Sequence, residues 1–174
     1  MFWDTFAHWL ELGSRLILAA ACGAVIGWER EFHAKVAGLR THMLISVGAC
    51  MFTLVAIEMH RDFPGSDVMR VIQGLVLAIG FIAGGVIFTR GRSVMGLTTA
   101  AGLWVLTGVG LATGLGYYFL AVTGTLLGLV IIAGLKRIDS WLHARPASGK
   151  FVENTATRRA MQDDEFESEG STDA

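Results

Sequence analysis

The chain has 174 residues, of which 53% are hydrophobic and only 17% are charged. Soluble domains carry about 25% charged residues, so this composition argues against a soluble enzyme and predicts a polytopic membrane protein. The formal net charge of −1 averages two unlike parts, because seven of the 15 acidic residues lie after Ser148. The net charge itself says little about partners, and no nucleic-acid partner is expected.

Five apolar segments are long enough to cross the bilayer, because a helix of about 20 apolar residues spans its hydrocarbon core. The first follows Asp4 and Glu11 rather than a basic segment, so we expect it to remain in the mature protein. Arg15 can reach the headgroups and pair with Glu11, four residues before it. The uncharged stretch 100–135 exceeds one span and divides at residues 114–118. The predicted spans are 12–28, 43–59, 71–89, 100–115 and 117–135.

The lysine and arginine residues predict the orientation. With the N-terminus outside, eleven of the 14 fall on the cytoplasmic side and three on the outer side. Cytoplasmic loops carry the excess of these residues, so the N-terminus is predicted outside and the C-terminus in the cytoplasm. The fold class is all-α, a transmembrane helix bundle over residues 1–143. Residues 144–174 are polar and acidic and are predicted to be a disordered cytoplasmic tail.

Two loops on the predicted inner face resemble each other. Shifting the chain by 58 residues aligns Gly38 with Gly96 and Thr41 with Thr99, each just before a new span. A parallel repeat of two helical hairpins, as in some transporters, would explain the match, and so would chance similarity. Thr41, and either Thr98 or Thr99, are predicted to cap the helices that follow.

The first inner loop, residues 29–42, contains more charged residues than the other predicted loops between spans. Glu31 and Lys35 are four apart, which favours continuation of the first helix past the membrane surface. Glu29 and Glu31 are two apart and point to different sides of a helix, so they are not expected to grip one metal ion. No acidic residue lies at the midpoint of a span, where transporters place substrate groups. Two interpretations stay open: positive-inside anchors with helix caps, or a contact surface for a partner.

Glycines recur at four-residue spacing, which places two small residues on one helix face and lets backbones approach closely. Such faces pack helices within one chain or between copies in a homo-oligomer. No Walker loop, nucleophile elbow or HExxH motif occurs, so no catalytic residue, cofactor or metal site is predicted. The spaced pairs are Gly23 with Gly27, Gly80 with Gly84, Gly110 with Gly114, and Gly124 with Gly128.

Four motifs occur in the chain: GWERE from residue 27, AGLRTHML from residue 37, GFIAGGVIF from residue 80 and GLTTAA from residue 96. Together they resemble the MgtC/SapB family over residues 12–135. The resemblance implies a multi-pass protein of the bacterial inner membrane with about five helices. The residues at motif positions, to which the resemblance assigns no role, are Glu29, Arg30, Glu31, Gly38, Leu39, Arg40, Thr41, His42, Arg90, Gly96, Thr98 and Thr99.

The resemblance also implies a link to magnesium, because some members support growth in low magnesium and survival in host cells. It implies a regulatory protein that acts on another membrane complex, such as the membrane part of ATP synthase. The partners expected are the lipid bilayer and another membrane complex, and the glycine faces add a homo-oligomer as a further possibility. The alternative is a magnesium transporter or channel, which predicts that Glu29, Glu31 or Glu58 converge with Gln73. The best-known members end in a small soluble domain, where this chain has the acidic tail.

Overall fold

The computed structural model describes residues 2–90 and 93–134. The helices of this part are α1 (Phe2–Phe32), α2 (Leu39–Asp62), α3 (Val68–Gly85), α4 (Leu97–Gly114) and α5 (Tyr118–Leu129), and a π-helical turn, Val130–Gly134, extends α5. Helices α1 to α4 are each long and apolar enough to cross a membrane. The predicted all-α transmembrane bundle is therefore confirmed. The orientation of the termini stays a prediction, and the predicted tail lies outside the described residues.

The third predicted span is wrong at its C-terminal end, because α3 stops at Gly85 rather than Thr89. The chain instead forms a hairpin in which β1 (Phe88–Arg90) pairs antiparallel with β2 (Ser93–Met95). Consecutive glycines at 84 and 85 weaken the helix. The residues that follow are mainly β-branched or aromatic, which favours strands.

Helices α1 and α2 form a tight antiparallel pair. A Cβ atom added to Gly23 would lie 2.8 Å from the carbonyl oxygen of His42, and one added to Gly27 would lie 2.8 Å from the Cα of Leu39. Real Cβ atoms do not approach other atoms so closely, so the helices reach this separation only with glycine at both positions. Both glycines thus pack inside the chain, on the α2 side of α1.

Helix α4 lies at the centre of the described bundle, in contact with α1, α2, α3 and α5. Its residues Leu103 and Leu106 are fully buried. Gly110 and Gly114 face α2, where a Cβ at Gly114 would lie 2.7 Å from the Cβ of Thr53. Helix α2 is therefore packed closely against two helices, against α1 through Gly23 and Gly27 and against α4 through Gly110 and Gly114.

The remaining predicted packing glycines divide into two groups. Gly124 and Gly128 on α5 lie within the bundle, each with a side chain from a neighbouring helix 3.4 Å from an added Cβ. At Gly80 and Gly84 on α3, an added Cβ would meet nothing within 4 Å. These two glycines pack against no part of the described bundle.

The predicted threonine caps are wrong. The N-cap residues of α2 and α4 are Gly38 and Gly96, and neither helix has a side-chain cap from its own N-cap residue. Thr41, Thr98 and Thr99 consequently lie inside the first turns. The two glycines differ in conformation, with φ of −104° at Gly38 and 89° at Gly96, so the suggested repeat extends to the position of the helix start and not to its geometry.

Helix α4 offers a matched test of close packing. A Cβ added to Gly110 would overlap the carbonyl oxygen of Ser46 and lie 2.7 Å from the Cβ of Ala49, whereas one added to Gly108 would meet nothing. We expect Gly110→Ala to lower the free energy of unfolding by about 1–3 kcal/mol. Gly108→Ala should leave it unchanged or raise it by up to about 1 kcal/mol. Unfolding in mixed detergent micelles measures both, and equal effects would contradict the observed helix contact.

Candidate functional site

A buried ion pair lies at the end of α1, at the end of the bundle that the sequence predicts to be cytoplasmic, here called the inner end. The side chains of Arg30 and Glu29 are 3% and 10% exposed, and Arg30 Nε donates to Glu29 Oε2 at 2.5 Å. The Nδ1 atom of His33 lies 2.9 Å from the Glu29 carbonyl oxygen and 3.0 Å from Glu29 Oε1. A buried charge is tolerated only with a partner, so Glu29 and Arg30 depend on each other.

Glu31 spans the loop between α1 and α2. Its Oε2 atom accepts a hydrogen bond of 2.9 Å from the backbone N–H of Leu39, the first residue of α2. A Cβ atom at Gly38 would overlap this carboxylate. Glu31 therefore supplies the acceptor that the N-cap glycine lacks, and its negative charge is favourable at a helix N-terminus. A side chain at position 38 would therefore displace the Glu31 carboxylate from the N–H of Leu39.

The predicted pairing of Glu31 with Lys35 along a continuing helix is wrong. Helix α1 does extend beyond its predicted membrane span, but it ends at Phe32. Ala34 then adopts a left-handed conformation with φ of 49°, and the N–H of Lys35 donates to the carbonyl oxygen of Arg30. This tight reversal brings the start of α2 back beside Glu31, which therefore contacts Leu39 rather than Lys35.

His42 lies in the second turn of α2 and is fully buried. Its Nδ1 atom is 2.8 Å from the carbonyl oxygen of Gly38. A carbonyl oxygen only accepts, so Nδ1 carries the proton and Nε2 is an acceptor when the ring is neutral. Within the described part of the chain, His42 Nε2 and Ser46 Oγ have no hydrogen-bond partner. Sequence reasoning missed Ser46, whose one signal is its four-residue spacing from His42.

Several side chains of the first inner loop are exposed. Lys35, Val36 and Arg40 are all exposed, and Thr41 is half-buried. Two side chains of this group are cationic and one is apolar. The first inner loop therefore combines a fixed conformation with two exposed cationic side chains, Lys35 and Arg40.

The second inner loop is built differently. At Gly96, φ is positive and a Cβ would overlap the carbonyl oxygen of Val86, so this position requires glycine. Thr99 is buried and Thr98 is exposed, while Arg90 belongs to β1 and its side chain lies outside the described part. Among the side chains that the structure describes, no hydrogen bond or ion pair joins this loop to Glu29.

Arg15 joins three helices at the opposite, outer end. Its NH2 group lies 2.5 Å from Glu11 Oε1, which confirms the predicted pair. Its NH1 group donates to the carbonyl oxygen of Gly114 at 2.7 Å, and its guanidinium carbon lies 5.9 Å from the centre of the Tyr118 ring. The contact with Gly114 was not predicted, because the sequence does not indicate that the α4–α5 turn packs on α1.

The transport alternative requires Glu29, Glu31 or Glu58 to converge with Gln73, and in the described part of the chain no hydrogen bond joins Gln73 to any of these carboxylates. His8 Nε2 lies 3.2 Å from Glu58 Oε2, which places Glu58 at the outer end of the α1–α2 pair. Glu29 lies at the inner end, and Gln73 is exposed on α3. Within residues 2–90 and 93–134, no group of three or more His, Cys, Asp or Glu side chains could hold a metal ion.

These features define a multi-pass helical membrane protein whose buried charges lie at the end of a helix pair rather than in mid-membrane. The chain belongs to the MgtC family, whose family model matches residues 16–141. The resemblance found in the sequence is thereby confirmed. The protein is a multi-pass protein of the bacterial inner membrane, and its spanning helices are surrounded by the lipid bilayer.

Several curated relatives match most of this chain. It is 43% identical over 124 residues to "Putative magnesium transporter YhiD" of Escherichia coli (strain K12), covering 68% of this chain and 57% of YhiD. It is 37% identical over 147 residues to Protein SrpB of Synechococcus elongatus, covering 77% and 81%. It is 36% identical over 135 residues to Protein MgtC of Salmonella typhi, covering 78% and 57%. The chain therefore spans little more than half of YhiD and MgtC. No solved structure matches.

The buried ion pair predicts that the effects of substituting Glu29 and Arg30 on the free energy of unfolding are strongly coupled. Arg30→Leu leaves the Glu29 carboxylate buried and unpaired, so we expect it to lower the free energy of unfolding by about 3–5 kcal/mol. The double variant Glu29→Leu/Arg30→Leu removes both charges and should recover most of this loss. Unfolding of the three proteins in mixed micelles measures the coupling. A double variant that is no more stable than Arg30→Leu would contradict the ion pair.

The carboxylate cap predicts a graded effect at Glu31. Glu31→Ala removes the acceptor for the Leu39 N–H and should cost about 1 kcal/mol, the usual value for a lost helix cap. Glu31→Gln keeps a carbonyl oxygen and should cost less. Lys35→Ala, an exposed change in the same loop, is the control and should be neutral. Hydrogen exchange of the first turn of α2 reports the cap directly, and protection unchanged in Glu31→Ala would rule it out.

Proposed function

We propose that this protein is a regulatory protein of the bacterial inner membrane, linked to magnesium homeostasis, that acts by binding another membrane complex. The observation that carries the proposal is the first inner loop, whose shape is fixed by the hydrogen bonds of Glu31 and His42, while Lys35, Val36 and Arg40 stay exposed. A loop held in one conformation loses little entropy on binding, which favours docking. On this proposal the protein is not an enzyme.

We infer roles for four of the motif residues from their contacts and exposure. Glu29 and Arg30 fix the end of α1, and Glu31 begins α2. Arg40 is exposed on the first turn of α2, where its guanidinium is available to an outside group. Guanidinium groups bind carboxylates through paired hydrogen bonds, so we expect an acidic surface on the partner complex.

The link to magnesium rests on the relatives rather than on a metal site. YhiD of Escherichia coli (strain K12) carries the name "Putative magnesium transporter". This chain covers 57% of YhiD, so a link to magnesium homeostasis is proposed for it on the basis of that similarity. Transport itself is not carried over.

Magnesium transport is the second candidate, and the name of YhiD favours it. The positions of the carboxylates argue against it. Glu29 lies 21 residues along α1 from His8, the partner of Glu58, which corresponds to roughly 30 Å of helix. Transporters place their substrate groups near mid-membrane. Four buried threonines that could line a path, Thr53, Thr107, Thr113 and Thr125, instead donate to carbonyl oxygens of their own helices.

The regulator proposal predicts that Arg40 is needed for binding. Cells of the source bacterium, grown in low magnesium, would express the tagged chain and be cross-linked before purification. We expect a membrane protein that co-purifies with the wild-type chain and is reduced about tenfold or more with Arg40→Ala, as for a charged group at an interface. Arg61→Ala is the matched control, because Arg61 is an exposed arginine at the outer end of α2.

Function is tested in the same strains. Growth of a deletion strain in low magnesium should be restored by the wild-type chain and by Arg61→Ala but not by Arg40→Ala. Equal rescue and equal co-purification by all three would contradict the docking role of the first inner loop.

A further inference from the structure

Helix α3 is covered less than the other long helices of the described bundle. Its buried residues are Ile79 and Ala83, which lie where α3 contacts α2 and α4. Successive residues of a helix are rotated by about 100°, so Leu77 and Phe81 fall on the opposite side. These two side chains are 81% and 88% exposed.

The same side of α3 carries gaps beside its large side chains. A Cβ atom added to Gly74 or Gly84 would meet nothing within 4 Å. Positions 74, 77, 81 and 84 follow the alternating spacing of three and four residues by which two helices interlock their side chains. Glycine at the first and last of these positions would let a second helix approach the backbone closely.

The outer end of this side carries two opposite charges one turn apart. Asp67, the N-cap residue, accepts a hydrogen bond of 2.9 Å from the N–H of Met69 through its Oδ1 atom. Asp67 and Arg70 are both exposed, and neither side chain forms an ion pair in the described part of the chain. Two charges of opposite sign on one face complement the same face of an identical molecule.

We propose that this side of α3, here called the α3 face, binds a second copy of the chain in the membrane. The α3 face consists of Asp67, Arg70, Gly74, Leu77, Phe81 and Gly84. Copies inserted in the same orientation are related by a two-fold axis along the membrane normal, so the two α3 helices run parallel. Asp67 of each copy then meets Arg70 of the other, which gives two ion pairs per dimer. This inference goes beyond the proposed function and leaves the first inner loop free for a different partner.

Disulfide cross-linking in liposomes tests the contact with the full chain. In a Cys22→Ala/Cys50→Ala background, we expect Leu77→Cys to form covalent dimers on mild oxidation. Phe119→Cys, at a position 86% exposed on α5, is the control and should remain monomeric. Equal cross-linking at both positions would overturn the proposal, because it would report random collision.

Charge reversal separates a second copy from any other occupant of the α3 face. Asp67→Arg and Arg70→Asp, each carried with Leu77→Cys, should each lower the dimer yield by about tenfold, since both pairs become repulsive. Mixing these two variants should restore the yield, because one copy then carries only positive and the other only negative charge. Asp67→Asn keeps the helix cap and is the control for folding, with an expected loss smaller than that of Asp67→Arg. A mixture that cross-links no better than its components would overturn the proposal.

Discussion

The hydrocarbon core offers polar groups no water, so a polar group inside the bundle is costly unless it finds a partner in the protein. Most of the buried polar side chains described above have such a partner, and His42 Nε2 and Ser46 Oγ are exceptions among the described residues. The buried threonines meet this constraint within their own helices, as at Thr53, which donates to the carbonyl oxygen of Ala49. Charges meet it at the helix ends, where Arg30 pairs with Glu29 and Arg15 binds Glu11 and a backbone carbonyl. Satisfying polar groups in these two ways leaves the middle of the described helices to small and apolar residues, which pack closely.

Close packing and the inner-end contacts depend on each other. Gly23 and Gly27 let α2 approach α1, which brings the start of α2 within reach of Glu31. Glu29 and Glu31 then act on different sides of the helix, as their spacing predicted. The Glu29 carboxylate is buried with Arg30, while the Glu31 carboxylate crosses the loop to α2. The contacts of Glu29, Arg30 and Glu31 therefore fix the conformation of the loop. Arg40 is exposed and is the residue that we propose to bind a partner.

The sequence predicted the features that composition and charge determine. The helical class, the five apolar helices and the Glu11–Arg15 pair follow from apolar length and residue spacing, which are local properties, although only four of the helices are long enough to count as spans. The helix caps and the β-hairpin after α3 were missed, because they depend on contacts between elements. Gly38 could be recognised as a turn residue, but the acceptor for the N–H of Leu39 comes from Glu31, eight residues earlier, across a left-handed Ala34. The gaps at Gly80 and Gly84 were likewise invisible, since a spaced glycine pair does not tell which neighbour it faces.

On the proposed function, the bundle fixes a docking loop and does not conduct ions. Magnesium flux into proteoliposomes that contain the purified, folded protein tests this most directly, with empty vesicles and Glu29→Gln as controls. We expect magnesium entry no faster than into empty vesicles. Entry that requires the protein and falls in Glu29→Gln would contradict the account and make this member of the MgtC family a transporter.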